Sequence, residues 1–197
     1  MARQIDESKI ERIKQATIDL IVSKGYQNAS TAAIAKLSKV SEGYLYRHYP
    51  SKHELVKDIV KSTLRAFLQD MEHLTKVSAN LSEFIERYAE NRCERMAKAP
   101  HILKLYGVMI HDSSFEVDSQ ISGRILDFCK ALAQRLHEED ESSARIDYED
   151  VYTLIFIAPM GFLNAKIKGH LPETSLHDTK KKLVNIMRRG LGLTEIS

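Results

Sequence analysis

The sequence predicts an all-α protein, with a three-helix N-terminal head over residues 1–52 and a larger C-terminal helical body over 53–197. Three observations carry this reading. Only four Pro and eight Gly interrupt 197 residues, and good helix formers dominate. Apolar residues recur at three- and four-residue spacing in segment after segment. Ser and Thr stand just ahead of the first four segments, where a side-chain oxygen can accept from an unpaired helix N–H.

In the head, residues 1–7 read as an arm outside the helices. Ser8-x-x-Glu11 is a capping-box pattern, and Ile10, Ile13, Thr17, Leu20 and Ile21 then lie on one face of helix 1. Gly25 is expected to end it as a left-handed cap. Ser30 and Thr31 precede a short second helix to Ser38, with Ile34, Ala35 and Leu37 expected on its buried side. Lys39 and Val40 fill a tight turn. Ser41 caps a third helix to about Tyr49, where Pro50 stops it. Two short helices joined by such a turn form the helix-turn-helix pattern, whose second helix lies in the major groove of DNA. That second helix carries Glu42, Gly43, Tyr44, Tyr46, Arg47 and His48, with Leu45 as its main buried anchor.

In the body, Ser51 caps a long fourth helix from Lys52 to about Lys76, striped by Leu55, Ile59, Val60, Thr63, Phe67, Met71 and Leu74. At 1.5 Å per residue it spans about 35 Å, enough to join head and body as one rod. Helix 5 runs from about Leu81 to Ala97 and helix 6 from Pro100 to His111, with a loop at 112–114. Helix 7 runs from about Val117 to Glu138, followed by an acidic, solvated loop over 138–143. Helix 8, about Tyr148 to Lys168, is apolar almost all round, so it is buried on more than one side, and Pro159 should kink it. Helix 9 runs from about Leu176 to Leu191.

Residues 30–55 resemble the DNA-binding domain of the tetracycline-repressor family of bacterial transcription regulators. The matching positions are the hydroxyl pair, Ile34-Ala35, Val40-Ser41, Gly43, Leu45-Tyr46, Tyr49, Ser51-Lys52 and Glu54-Leu55. Many members carry Ala-Gly in the turn where this chain has Ser38-Lys39. Lys39 therefore implies modest strain, a different turn, or a cation placed near a phosphate. Ser30, Thr31, Tyr46, His48 and Lys52 are the expected phosphate contacts, since hydroxyls, amides and cations bind phosphate without reading sequence. The resemblance points especially to Tyr46 and Lys52. Ser41, Glu42, Gly43 and Tyr44, with Arg47 further along, are the expected base readers. Glu42 either accepts from a cytosine amino group or only favours the helix N-terminus electrostatically.

The resemblance also implies a homodimer through the last two long helices, bound to a near-palindromic double-stranded operator, and a small apolar or amphipathic effector held in the body. The implied action is repression relieved by that effector. Candidate effector contacts are Phe67, Met71, Tyr88, Met96, Tyr106, Met109, Phe128, Phe156 and Met160, with Arg92 and His111 as polar anchors. Each of these side chains also suits plain core packing.

Composition narrows the alternatives. The net charge is only +2, but residues 1–60 carry +3 and the remainder −1, a mildly basic head on a near-neutral body. Cys93 and Cys129 are far apart and read as free thiols in a reducing compartment. No signal peptide is visible, and the apolar run 154–163 is too short to span a bilayer, so a cytoplasmic protein with no membrane partner is expected. No nucleophile elbow, zinc-protease motif or phosphate loop occurs, and His101 and His111 with Asp112 lack ligand or triad spacing. No metal, cofactor or enzymatic activity is expected. The competing reading is a DNA-binding regulator without a small-molecule effector, controlled by a protein partner.

Overall fold

The computed structural model describes residues 6–111, 117–139 and 145–193, and every regular element among them is helical. The helices are α1 (Glu7–Lys24), α2 (Thr31–Ser38), α3 (Glu42–His48), α4 (Lys52–Val77), α5 (Leu81–Lys98), α6 (Pro100–His111) and α7 (Ser119–Glu139). α8 covers 148–167 in three continuous pieces: an α turn Tyr148–Val151, a π-helical stretch Tyr152–Ile157 and an α segment Ala158–Ile167. α9 is Leu176–Gly190. Residues 1–5 of the expected arm, the loop at 112–114 and residues 140–143 of the acidic loop lie outside the described residues. Glu138 and Glu139, expected in that loop, belong to α7.

Two apolar clusters organise the chain. In the head, Ile13, Ile21, Ile34 and Leu45 are almost completely buried at the junction of α1, α2 and α3. The same cluster takes in Leu55, Val56, Ile59 and Val60 from α4 and Leu105 from α6. In the body, α5 contributes Phe84 and Tyr88, α7 Leu132 and Leu136, α8 Ile155 and Leu163, and α9 Leu183 and Met187. α6 is divided between the clusters, because Leu105 belongs to the head while Leu103 and Tyr106 belong to the body. Burying one such leucine is worth about 2 kcal/mol, so α6 adds a second tie between head and body beside α4, which gives Phe67, Leu68 and Met71 to the body cluster.

Local chemistry explains the boundaries. Ser30, Ser41 and Ser51 each accept from the backbone N–H three residues on, capping α2, α3 and α4. The start of α1 differs from expectation. Asp6, not Ser8, is its cap and accepts from the Lys9 N–H. The Ser8 hydroxyl donates to the Asp6 carboxylate at 2.6 Å, and this bond together with Lys9 holds the pKa of Asp6 down at about 2. Carboxylate is the stronger acceptor beside a helix N-terminus, so Asp6 displaces the serine as cap. Gly25 does take a positive φ of 80°, but its ψ of 160° lies outside the left-handed helical well. Leu37 was expected to be buried and is 52% exposed. α2 is only eight residues long, and α1 and α3 cover the face bearing Ile34 and Ala35 instead.

The disturbance expected at Pro159 takes the form of the π stretch. Pro159 has no N–H to give to the carbonyls of the preceding turn. The Ile155 carbonyl, four residues back, accepts instead from the Tyr88 hydroxyl at 2.6 Å. α8 also approaches α6 closely. A Cβ built on Gly107 would stand 2.7 Å from Nδ2 of Asn164, which donates to the Leu103 carbonyl.

Candidate nucleic-acid interface and body cavities

α3 presents its start to solvent. Ser41, Glu42 and Gly43 are exposed, as are Tyr46 and Arg47 further along. Leu45 is fully buried beneath them and fixes the helix on the head. Among the described residues no heavy atom lies within 4 Å of a Cβ built on Gly43, so their packing does not require glycine there. The Tyr46 hydroxyl lies 3.0 Å from the Thr31 hydroxyl, which joins the starts of α2 and α3 into one polar edge.

The turn between α2 and α3 is a Schellman cap. Val40 N–H bonds to Ala35 O and Lys39 N–H to Lys36 O. Lys39 occupies the left-handed position at φ 56°, ψ 44°, the only non-glycine residue with positive φ among those described. Of the alternatives the sequence left open at Lys39, the backbone adopts the ordinary turn and takes the strain.

Four other expected contacts are placed differently from a free, exposed group. Tyr44 is half-buried, with its ring against His48 at 4.6 Å between centroids and the Lys9 ammonium 5.4 Å above it. Its hydroxyl is buried and makes no hydrogen bond among the described residues. His48 is half-buried in the same pair. Lys52 gives its ammonium to the Tyr26 carbonyl at 2.8 Å and lies over the Tyr26 ring at 4.3 Å. It therefore closes the loop before α2. Ser30 is exposed, but its oxygen is occupied by the Ala33 N–H.

The body holds two neighbouring cavities. The first, about 360 Å³, lies where head meets body. Its walls include Glu11, Lys14 and Gln15 of α1, Phe67 of α4, Arg92 and Arg95 of α5, and Tyr106 of α6. The second, about 250 Å³, is bounded by Leu64, Phe67, Tyr106, Val117, Ile125, Tyr152, Phe156, Ile157 and Met160. Phe67 and Tyr106 line both, with ring centroids 5.8 Å apart.

Arg92 is the largest fully buried side chain among the described residues, at 1% exposure. Its Nη2 reaches Asp70 at 3.1 Å, and Phe67 and Tyr88 lie 4.7 and 5.5 Å from the guanidinium. Arg95 pairs with the same Asp70 oxygen. Burial pulls the Arg92 guanidinium below its ordinary value, and the same cause pushes the Tyr106 phenol up.

Of the expected effector contacts, Phe67, Arg92, Tyr106, Phe156 and Met160 line one or both cavities. Met71 and Tyr88 are fully buried in the body core, and Met96 and Phe128 pack against it. The side chains of Met109 and His111 lie outside the described part. Sequence reasoning missed Arg95 and the α1 residues. The signal for Arg95 was its three-residue spacing from Arg92, which places both on one face of α5.

Cys93 and Cys129 are free and buried, and burial pushes their thiols up to about 11 and about 12. Among the described residues no group of three or more His, Cys, Asp or Glu could hold a metal ion, and no helix is long and apolar enough to cross a membrane.

Comparison with known proteins follows the same division. The family of bacterial regulatory proteins called tetR matches residues 13–59, which cover most of α1, all of α2 and α3, and the start of α4. The nucleoid occlusion factor SlmA of Marinobacter nauticus is 33% identical over 90 residues, 42% of this chain and 46% of that protein. The chain thus spans less than half the length of that curated relative. A TetR family transcription regulator from Marinobacter aquaeolei superposes with a TM-score of 0.75 at 16% identity, covering 94% of this chain and 96% of that one. The regulator FadR of Bacillus subtilis, solved in complex with stearoyl-CoA, gives 0.66 at 16% identity over 91% and 98%. These two likenesses are of fold.

Proposed function

We propose that the chain, whose residues 13–59 match the tetR family of bacterial regulatory proteins, belongs to that family and is a homodimeric transcriptional regulator. It binds a near-palindromic DNA operator through α3 and is released by a small amphipathic effector held between head and body. The observation that carries DNA binding is the exposed start of α3. Ser41, Glu42, Gly43, Tyr46 and Arg47 point outward from a helix whose buried anchor, Leu45, holds it rigidly. Hydrogen-bonding groups at an exposed helix start, backed by a glycine that packing does not need, suit insertion into a major groove.

Within this reading the roles divide by placement. Thr31 and Tyr46 take phosphate from one edge, and Lys39 and Arg47 supply charge. Ser41, Glu42 and Gly43 approach base edges. Tyr44, His48 and Lys52 serve first to fix α3 and the loop before α2. The dimer forms through α8 and α9, where Tyr152 and Leu176 remain exposed as large apolar side chains. Two heads then meet successive major grooves about 34 Å apart. The acyl-CoA complex of the Bacillus subtilis regulator supports an effector with an apolar chain.

The test is a gel shift with DNA upstream of the chain's own coding region, with competitor, at two salt concentrations. A specific shift that weakens with salt supports the reading. Complete loss to competitor argues for another target. The likeness of part of the chain to a nucleoid occlusion factor favours a second reading, a DNA-bound factor governed by a protein partner. A thermal-shift screen without a single stabiliser would support that alternative.

A further inference from the structure

We propose that the effector is an acyl carboxylate, its anionic end on Arg92 and Arg95 in the first cavity and its chain in the second. This rests on the effector reading above and names the ligand class for that site. Arg92 is a guanidinium buried almost completely between aromatic rings, a placement that is costly unless anions compensate it. The protein supplies only half that compensation. Arg92 and Arg95 share the single carboxylate of Asp70, leaving one positive charge in excess in that trio. Nη1 of Arg92 makes no hydrogen bond among the described residues. A planar carboxylate matches a guanidinium fork in shape and charge, as a neutral group does not.

The apolar half is next door. Leu64, Ile125, Phe156 and Met160 form walls of the second cavity, and Phe67 and Tyr106 line both it and the first. A ligand reaching both meets these two rings, whose centroids are 5.8 Å apart. Tyr106 donates to the Thr63 carbonyl of α4 at 3.1 Å and follows Leu105, which is buried in the head cluster. Moving Tyr106 therefore pulls on both helices that enter the head.

The first cavity also gives the ligand a direct hold on the head. Its α1 wall carries Lys14, already paired with Asp58 at 2.9 Å, and the acidic residue Glu11. A carboxylate seated on Arg92 and Arg95 repels Glu11 and favours a state with α1 displaced.

The experiment measures binding of decanoate, decanol, decylamine and decanoyl-CoA to the full chain by calorimetry and thermal shift. Decanoate is expected to bind once per chain and raise the melting temperature, with decanol weaker by about tenfold or more. Arg95→Gln, at a partly exposed position, should weaken decanoate and leave decanol unchanged. Glu11→Gln should tighten decanoate yet reduce its power to release DNA, an effect that a merely structural role would not produce. Equal binding of decanol, preference for decylamine, or binding of the thioester alone would each overturn the carboxylate assignment. If all four fail while a broad screen finds another stabiliser, the ligand class is wrong and the effector reading stands. If no compound binds, both fall.

Discussion

The hydroxyl of Tyr88 on α5 donates to the carbonyl of Ile155 on α8, four residues before Pro159. A proline inside a buried helix leaves a carbonyl without its usual donor, and an orphaned buried acceptor costs about 1–3 kcal/mol. Burial pushes the Tyr88 phenol well above its ordinary value, so the donor keeps its proton. Tyr88→Phe should destabilise by that amount and lower the melting temperature by several degrees. Adding Pro159→Ala restores an N–H in α8, so the double variant should recover part of the loss. Thermal unfolding of the four proteins of this cycle measures the coupling. Strict additivity would show that the bond is not a substitute for the one proline removes.

Lys39 sits in the left-handed region that glycine enters without steric cost. Lys39→Gly should stabilise the head by about 1 kcal/mol, offset in part by greater freedom of the unfolded chain. Denaturant unfolding checks the sign. If the lysine also serves a phosphate, the same variant loses DNA affinity equally on all sequences and its salt slope falls by about one.

Gly43 separates folding from recognition. None of the described residues would touch a Cβ there, so Gly43→Ala should raise helix stability by about 0.5–1 kcal/mol. In DNA binding the same methyl group stands between the α3 backbone and the groove. Higher thermal stability with weaker operator binding is the expected pair of results. A variant gaining stability with unchanged affinity would place the DNA-facing surface elsewhere.

Gly107 is glycine for packing. Its Cβ would strike the Asn164 amide, whose donation to Leu103 at 2.8 Å ties α8 to α6. Gly107→Ala should cost about 1–3 kcal/mol through that bond and the displaced side chain. Gly107→Ala with Asn164→Ala should be milder than the sum of the two, as unfolding of both singles and the double would show.

Much of this architecture was legible because the punctuation is local. Ser30, Ser41, Ser51 and Pro100 mark helix starts by their own chemistry, and the starts they imply are found. What was not legible depends on which surface each helix meets. Leu37 follows the apolar period yet faces solvent, because neither α1 nor α3 covers it. Tyr44 stands at the polar start of α3 but turns its ring into the head, where Lys9 and His48 receive it. Lys52 finds loop carbonyls 25 and 26 residues earlier in the chain. The π stretch follows from a proline and a tyrosine 71 positions apart, and no window along the sequence contains both. The α1 wall of the first cavity was hidden in the same way, since Glu11 and Lys14 read as the solvent face of an amphipathic helix.

The measurement that tests the central claim most directly is selection of bound sequences from a random DNA pool, followed by footprinting of the winner. The account predicts a near-palindrome with two half-sites one helical turn, about 10 bp, apart, protected on one face by a dimer. A lone half-site bound by one chain, or no enriched sequence at all, would contradict it.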